Sequence, residues 1–88
     1  MIEQTVQVKL ETGLQAKPAA QFVQLANDYD AHLVLEKDGK RVNAKSIMGL
    51  MSLAIGTGES ITILAEGNDA ERASADLIGF VLGERVFE

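Results

Sequence analysis

The chain has 88 residues, 47% of them apolar and 24% charged, with a net charge of −5 and no cysteine. That is enough for one hydrophobic core, so a single domain over residues 1-88 is expected, and it excludes both a disulfide framework and a thiolate metal site. A negative surface disfavours direct nucleic-acid binding, which needs a basic face for phosphate contacts, and no apolar run reaches the ~20 residues that span a bilayer. Met1 to Thr5 lack the basic start and apolar run of a signal peptide, so the cytoplasm is the expected compartment.

Ile2, Gln4, Val6, Val8 and Leu10 follow the period-two pattern of a half-buried strand, and Gly13 ends it. Pro18 in a first turn, then Ala19, Phe22, Val23 and Ala26 at helical spacing, predicts an amphipathic helix over about residues 17–27. His32 to Lys37 reads as a second strand, Asp38-Gly39 as a two-residue hairpin turn, and Lys40 to Asn43 as the returning strand. Ser46 opens a short apolar helix, Ile47 to Leu53, and Gly56-Thr57-Gly58 closes it before a strand over Ser60 to Glu66. Asn68 followed by Glu71 has the spacing of a capping box, which predicts a last helix with Ala73, Leu77, Phe80 and Val81 on one face and Gly83 at its end.

The order strand, helix, strand, strand, helix, strand, helix predicts the α+β class: an open-faced β-sandwich, with a four-stranded antiparallel sheet covered on one face by three helices. The other sheet face is expected to be polar and wet. Charge is unevenly spread, since residues 37–45 carry Lys37, Lys40, Arg41 and Lys45 against Asp38, while residues 59–88 carry seven acids against Arg72 and Arg85. A solvated surface accounts for such a split without a partner.

Gly13-Leu14-Gln15-Ala16-Lys17-Pro18 resembles the active-site signature of HPr, the histidine-containing phosphocarrier family of the bacterial sugar phosphotransferase system. Gly39-Lys40, Val42-Asn43 and Lys45-Ser46-Ile47-Met48-Gly49 extend the resemblance, which runs from Ile2 to about Leu82. The family has the element order given above. Its carriers have histidine where this chain has Gln15, and arginine where it has Lys17. A neutral imidazole, with an ordinary pKa of about 6.5, has a ring-nitrogen lone pair that accepts a phosphoryl group and passes it on. A glutamine amide nitrogen has its lone pair tied up in resonance. Glutamine here is similar to a non-carrier branch of the family that acts in carbon catabolite repression, which implies a regulator with no catalytic residue; a phosphocarrier is the alternative. Lys17 keeps the arginine's charge but loses the planar fork that grips an anion with two bonds. Backbone N–H groups at the start of the first helix still suit an anion, although binding is not transfer.

Ser46 before an apolar helical run is a preferred N-cap. The resemblance adds a compatible second role, because the matching serine of the family is phosphorylated by an ATP-dependent HPr kinase/phosphorylase. A phosphoserine brings about −1.5 to −2 charges, and a negative group at a helix N-terminus stabilises by about 0.3–1 kcal/mol, so the modification leaves the fold intact. At helical spacing Leu50, Leu53 and Ala54 fall on one side of this segment and Ile47, Met48 and Met51 on the other. Either the segment is core all round or the second group is an exposed apolar patch; so small a domain favours the patch.

The resemblance implies that the Ser46-phosphorylated protein is a corepressor of catabolite control protein A, a LacI-type transcription factor that would itself contact DNA. Ile47, Met48 and Met51 would form one part of the footprint, and Gln15, Lys17 and Ala20 a second edge. His32, the chain's one histidine, has opposite parity to Leu33 and Leu35 and is expected to be exposed and idle. One histidine without cysteine makes no transition-metal site, so neither metal nor cofactor is expected. Exchange of the first strand about Gly13 would give a homodimer, and open sheet edges offer a second route to pairing.

Overall fold

Alternating apolar residues and turn-forming breaks set the seven elements: β1 (Ile2–Gln7), α1 (Lys17–Ala26), β2 (His32–Lys37), β3 (Lys40–Asn43), α2 (Ile47–Ser52), β4 (Ser60–Glu66) and α3 (Ala70–Val81). The computed structural model describes residues 1–84, so Arg85 and Glu88 of the acidic C-terminal stretch lie outside it. The strands form one sheet in the order β1-β4-β2-β3. Every neighbouring pair is antiparallel, and among the described residues β1 pairs only with β4. Asp38 (φ 52°) and Gly39 (φ 82°) make the β2–β3 turn. Two positive φ values in succession match the twist of the flanking strands, and glycine adopts one without steric cost.

One sheet face is buried under the helices. Val8, Leu33, Leu35, Ile61, Ile63 and Ala65 meet Phe22, Leu25, Leu50, Leu77 and Phe80 in a single apolar cluster. Phe22 and Phe80 pack with ring centroids 6.2 Å apart, tilted by 56°, and so lock α1 to α3. Gln4, the polar residue at a core-facing position of β1, accepts the Ser74 hydroxyl at 2.7 Å, which satisfies the buried serine. At its C-terminus α3 ends in a Schellman motif, with Gly83 N–H bonded to Phe80 O and Glu84 N–H to Gly79 O.

In α1, Val23 packs half-buried against the core as its helical spacing predicts, and Leu25 is fully buried as well, because the helix packs against both α2 and α3. Three local expectations are corrected. Ala54 does not continue the buried side of α2: the helix stops at Ser52, and Ala54 is exposed with φ 49°. The capping box at Asn68 does not form. Asp69 is the N-cap of α3 and makes no side-chain cap, since its carboxylate instead accepts Asp30 N–H at 2.9 Å and Ala31 N–H at 2.8 Å across the chain. Nor is the open sheet face uniformly polar: Leu64 is only 4% exposed there. It lies on the inner strand β4, flanked by Glu3 on one side and half-buried Val34 on the other, and cross-strand neighbours cover it.

Candidate partner-binding face

Ser46 has extended backbone (φ −111°, ψ 118°), and its Oγ accepts the Gly49 N–H at 3.1 Å, which caps α2. The side chain is half-buried, with the hydroxyl at the helix's positive end. Beyond it, Leu50 is fully buried and Leu53 nearly so, and these two anchor the short helix. The opposite side faces solvent: Ile47 is 40% exposed, Met48 80% and Met51 54%. Lys45, before the cap, is tied back by a 2.6 Å bond from Nζ to Tyr29 O, and the Tyr29 hydroxyl in turn donates to Asp76.

The Gln15 loop lies at the other end of α2. Leu14 N–H and Gln15 Nε2 both donate to Ile55 O, at 3.0 and 3.2 Å. This contact depends on Gly13, whose φ is 70° and where an added Cβ would sit 2.4 Å from Ile55 O and 2.7 Å from Gly56 Cα. Ala16 follows with φ 55° and ψ −128°, a conformation costly for a residue with a side chain, and Lys17 and Pro18 then open α1. Gln15, Lys17 and Ala20 are all exposed. Ile55 therefore joins the start of α1 to the chain leaving α2.

A second link at the same place was not anticipated from sequence. Lys37 Nζ donates to Leu53 O at 3.0 Å and Ala54 O at 3.2 Å, which caps the end of α2, and it forms a 2.6 Å ion pair with Glu59. The other Glu59 oxygen accepts Gly56 N–H at 2.6 Å. The Lys37 hydrogen bond and then the Gly56 N–H hold the Glu59 carboxyl below its usual pKa. A lysine at a core-facing position of β2, in register with Leu33 and Leu35, is the sequence signal for such a partner.

His32 is exposed and stands opposite Glu66 in the sheet register. Among the described residues no three histidine, aspartate or glutamate side chains come together as a metal-binding group. No helix of the described residues is long and apolar enough to cross a membrane.

The family model described as PTS HPr component phosphorylation site matches residues 2–82. The chain is 62% identical over 81 residues to the HPr-like protein Crh of Halalkalibacterium halodurans, a match covering 92% of this chain and 96% of that one. The phosphocarrier protein HPr of Bacillus anthracis superposes with a TM-score of 0.90 at 61% identity, over 91% of this chain and 95% of the other. Crh of Bacillus subtilis, the catabolite repression protein, superposes with a TM-score of 0.78 at 54% identity, over 99% and 100% of the two chains. That relative is described as a dimer with a swapping domain.

Proposed function

The chain belongs to the HPr family, and we propose that within it the protein is a non-enzymatic regulator of carbon catabolite repression. Phosphorylated on Ser46 by HPr kinase/phosphorylase, it acts as corepressor of the LacI-type catabolite control protein A. The observation that carries this reading is Gln15: the family's phosphoryl-accepting position holds an amide, and that amide is engaged with Ile55 O. The protein can present the loop as a surface but has no imidazole at position 15 to run the carrier reaction.

Two further features support the reading. Ser46 stands at a helix N-terminus, where added negative charge is favourable. The apolar side chains of Ile47, Met48 and Met51 are exposed beside it, so a charge-assisted phosphate contact and an apolar contact would fall on one partner surface. Flexible thioethers suit that role. Gln15, Lys17 and Ala20 then form the second edge of the footprint, and the action is cytoplasmic.

We extend the proposal to a homodimer made by exchange of β1, as the swapping dimer of Bacillus subtilis Crh suggests. In support, β1 is an edge strand whose strand partner among the described residues is β4, and the Gly13 loop follows it.

The test is mass spectrometry after incubation with HPr kinase/phosphorylase and ATP. One phosphate on Ser46 is expected, and an unmodified protein would overturn the proposal. Incubation with phosphoenolpyruvate and the first enzyme of the phosphotransferase system decides the carrier alternative. Acid-labile phosphate would favour the carrier.

A further inference from the structure

Two of the chain's three methionines, Met48 and Met51, lie three residues apart on α2, so their thioethers share one helical side. They are 80% and 54% exposed, whereas Leu50 and Leu53, which hold the helix to the core, are buried. The chain has no cysteine. A two-electron oxidant therefore meets these thioethers without competition from a thiol.

We propose that Met48 and Met51 form a reversible oxidation site, through which a peroxide converts the apolar side of α2 into a polar one while the fold stays intact. Its consequence for partner docking rests on the functional reading above. In the step itself the thioether sulfur attacks one peroxide oxygen. The S–O bond forms as the O–O bond breaks, sulfur is oxidised to the sulfoxide, and the departing oxygen takes the peroxide proton and leaves as water. A thiol-dependent sulfoxide reductase returns the thioether, one enzyme class serving each sulfoxide epimer.

The sulfoxide oxygen is a strong acceptor with no donor waiting in an apolar contact. Burying it against a partner weakens the complex, by about tenfold or more for each sulfoxide. Neither side chain contributes to the core cluster, so the unfolding midpoint is expected to be unchanged.

The experiment exposes the Ser46-phosphorylated protein to dilute hydrogen peroxide and maps sulfoxides by peptide mass spectrometry. Met1, 77% exposed, is the internal reference. Expected are sulfoxides on Met48 and Met51 at rates comparable to Met1, weaker retention on a hydrophobic column, an unchanged thermal midpoint, and at least tenfold weaker binding to catabolite control protein A that a sulfoxide reductase reverses. Met48→Leu/Met51→Leu protein, whatever its own affinity, should lose the peroxide response. The proposal is overturned if Met48 and Met51 stay reduced while Met1 oxidises, if oxidation unfolds the protein, or if the doubly oxidised protein keeps its retention and affinity. Should the reduced, phosphorylated protein not bind the repressor, the docking reading falls, and the oxidation site still stands or falls by mapping and retention.

Discussion

Lys37 and Glu59 meet at 2.6 Å beneath the end of α2, and the same ammonium caps Leu53 O and Ala54 O. One side chain thus ties β2, α2 and the loop before β4. Lys37→Met keeps the apolar stem but strips those carbonyls of a charged donor, which should cost about 1–3 kcal/mol. Denaturant titration checks it. Glu59→Gln, which keeps a polar partner for Gly56 N–H, should lower the midpoint less than Lys37→Met does.

Stability should fall in acid for two identified reasons. Hydrogen bonds from Lys37 and Gly56 lower the pKa of Glu59, and those from the backbone N–H groups of Asp30 and Ala31, with the charge of Lys45, lower that of Asp69. Each folded-state pKa lies below its unfolded value of about 4, so the contribution is complete above that value and is lost as pH drops through the depressed one. Urea midpoints at about pH 6 and pH 3 should differ in that sense. Asp69→Asn should be less stable at neutral pH and show a shallower acid decline; an equally steep decline would remove Asp69 from the account.

Ser46→Ala removes both the hydroxyl that caps α2 and the proposed phosphate acceptor. Loss of the cap should cost about 0.5–2 kcal/mol, which a domain of ordinary stability survives. The variant should stay folded by circular dichroism, take no phosphate from the kinase, and lose tight binding to the repressor. Binding as tight as that of phosphorylated wild type would sink the mechanism.

Periodicity made the fold legible because most elements here have one dry and one wet side: Leu33 and Leu35 against His32, or Leu50 against Met48, can be sorted by counting. Gln15 and Ser46 were legible as departures from, or matches to, a motif. What counting could not reach was contact between distant segments. Asp69 abandons the local cap for backbone donors at Asp30 and Ala31, and Lys37 finds Glu59 and the α2 carbonyls only once β2 and β4 are paired. Leu64 was similarly hidden, because its burial on the open face comes from neighbouring strands rather than from its own alternation.

Met48→Asp and Met51→Asp test the apolar patch separately from the phosphate. Both side chains are more than half exposed, so the unfolding midpoint should hardly move. A carboxylate set into an apolar contact beside a phosphate should weaken the repressor complex at least tenfold, read by calorimetry with the phosphorylated proteins. A large fall in midpoint without loss of affinity would instead mean that the patch serves the fold.

Gly13 gives access to the proposed dimer. In the closed chain its φ is 70°, and a Cβ there would lie 2.4 Å from Ile55 O. Gly13→Ala therefore meets both a left-handed backbone penalty of about 1–2 kcal/mol and a backbone collision. Relief requires the loop to leave Ile55, which also releases Leu14 N–H and the Gln15 amide from the same oxygen. A monomer that opens there loses the pairing of β1 with β4, along its whole length from Ile2↔Ala65 to Gln7↔Ser60. Two opened chains that trade β1 keep all of it. The substitution should thus destabilise the monomer more than the strand-exchanged dimer and raise the dimer fraction at a given concentration. Sedimentation velocity over a concentration series, with long incubation to allow slow exchange, reads that fraction directly. If Gly13→Ala and wild type both remain monomeric at every concentration, β1 is not an exchanging strand; if a dimer forms, deleting Met1 to Val8 must abolish the fold rather than release a stable monomer.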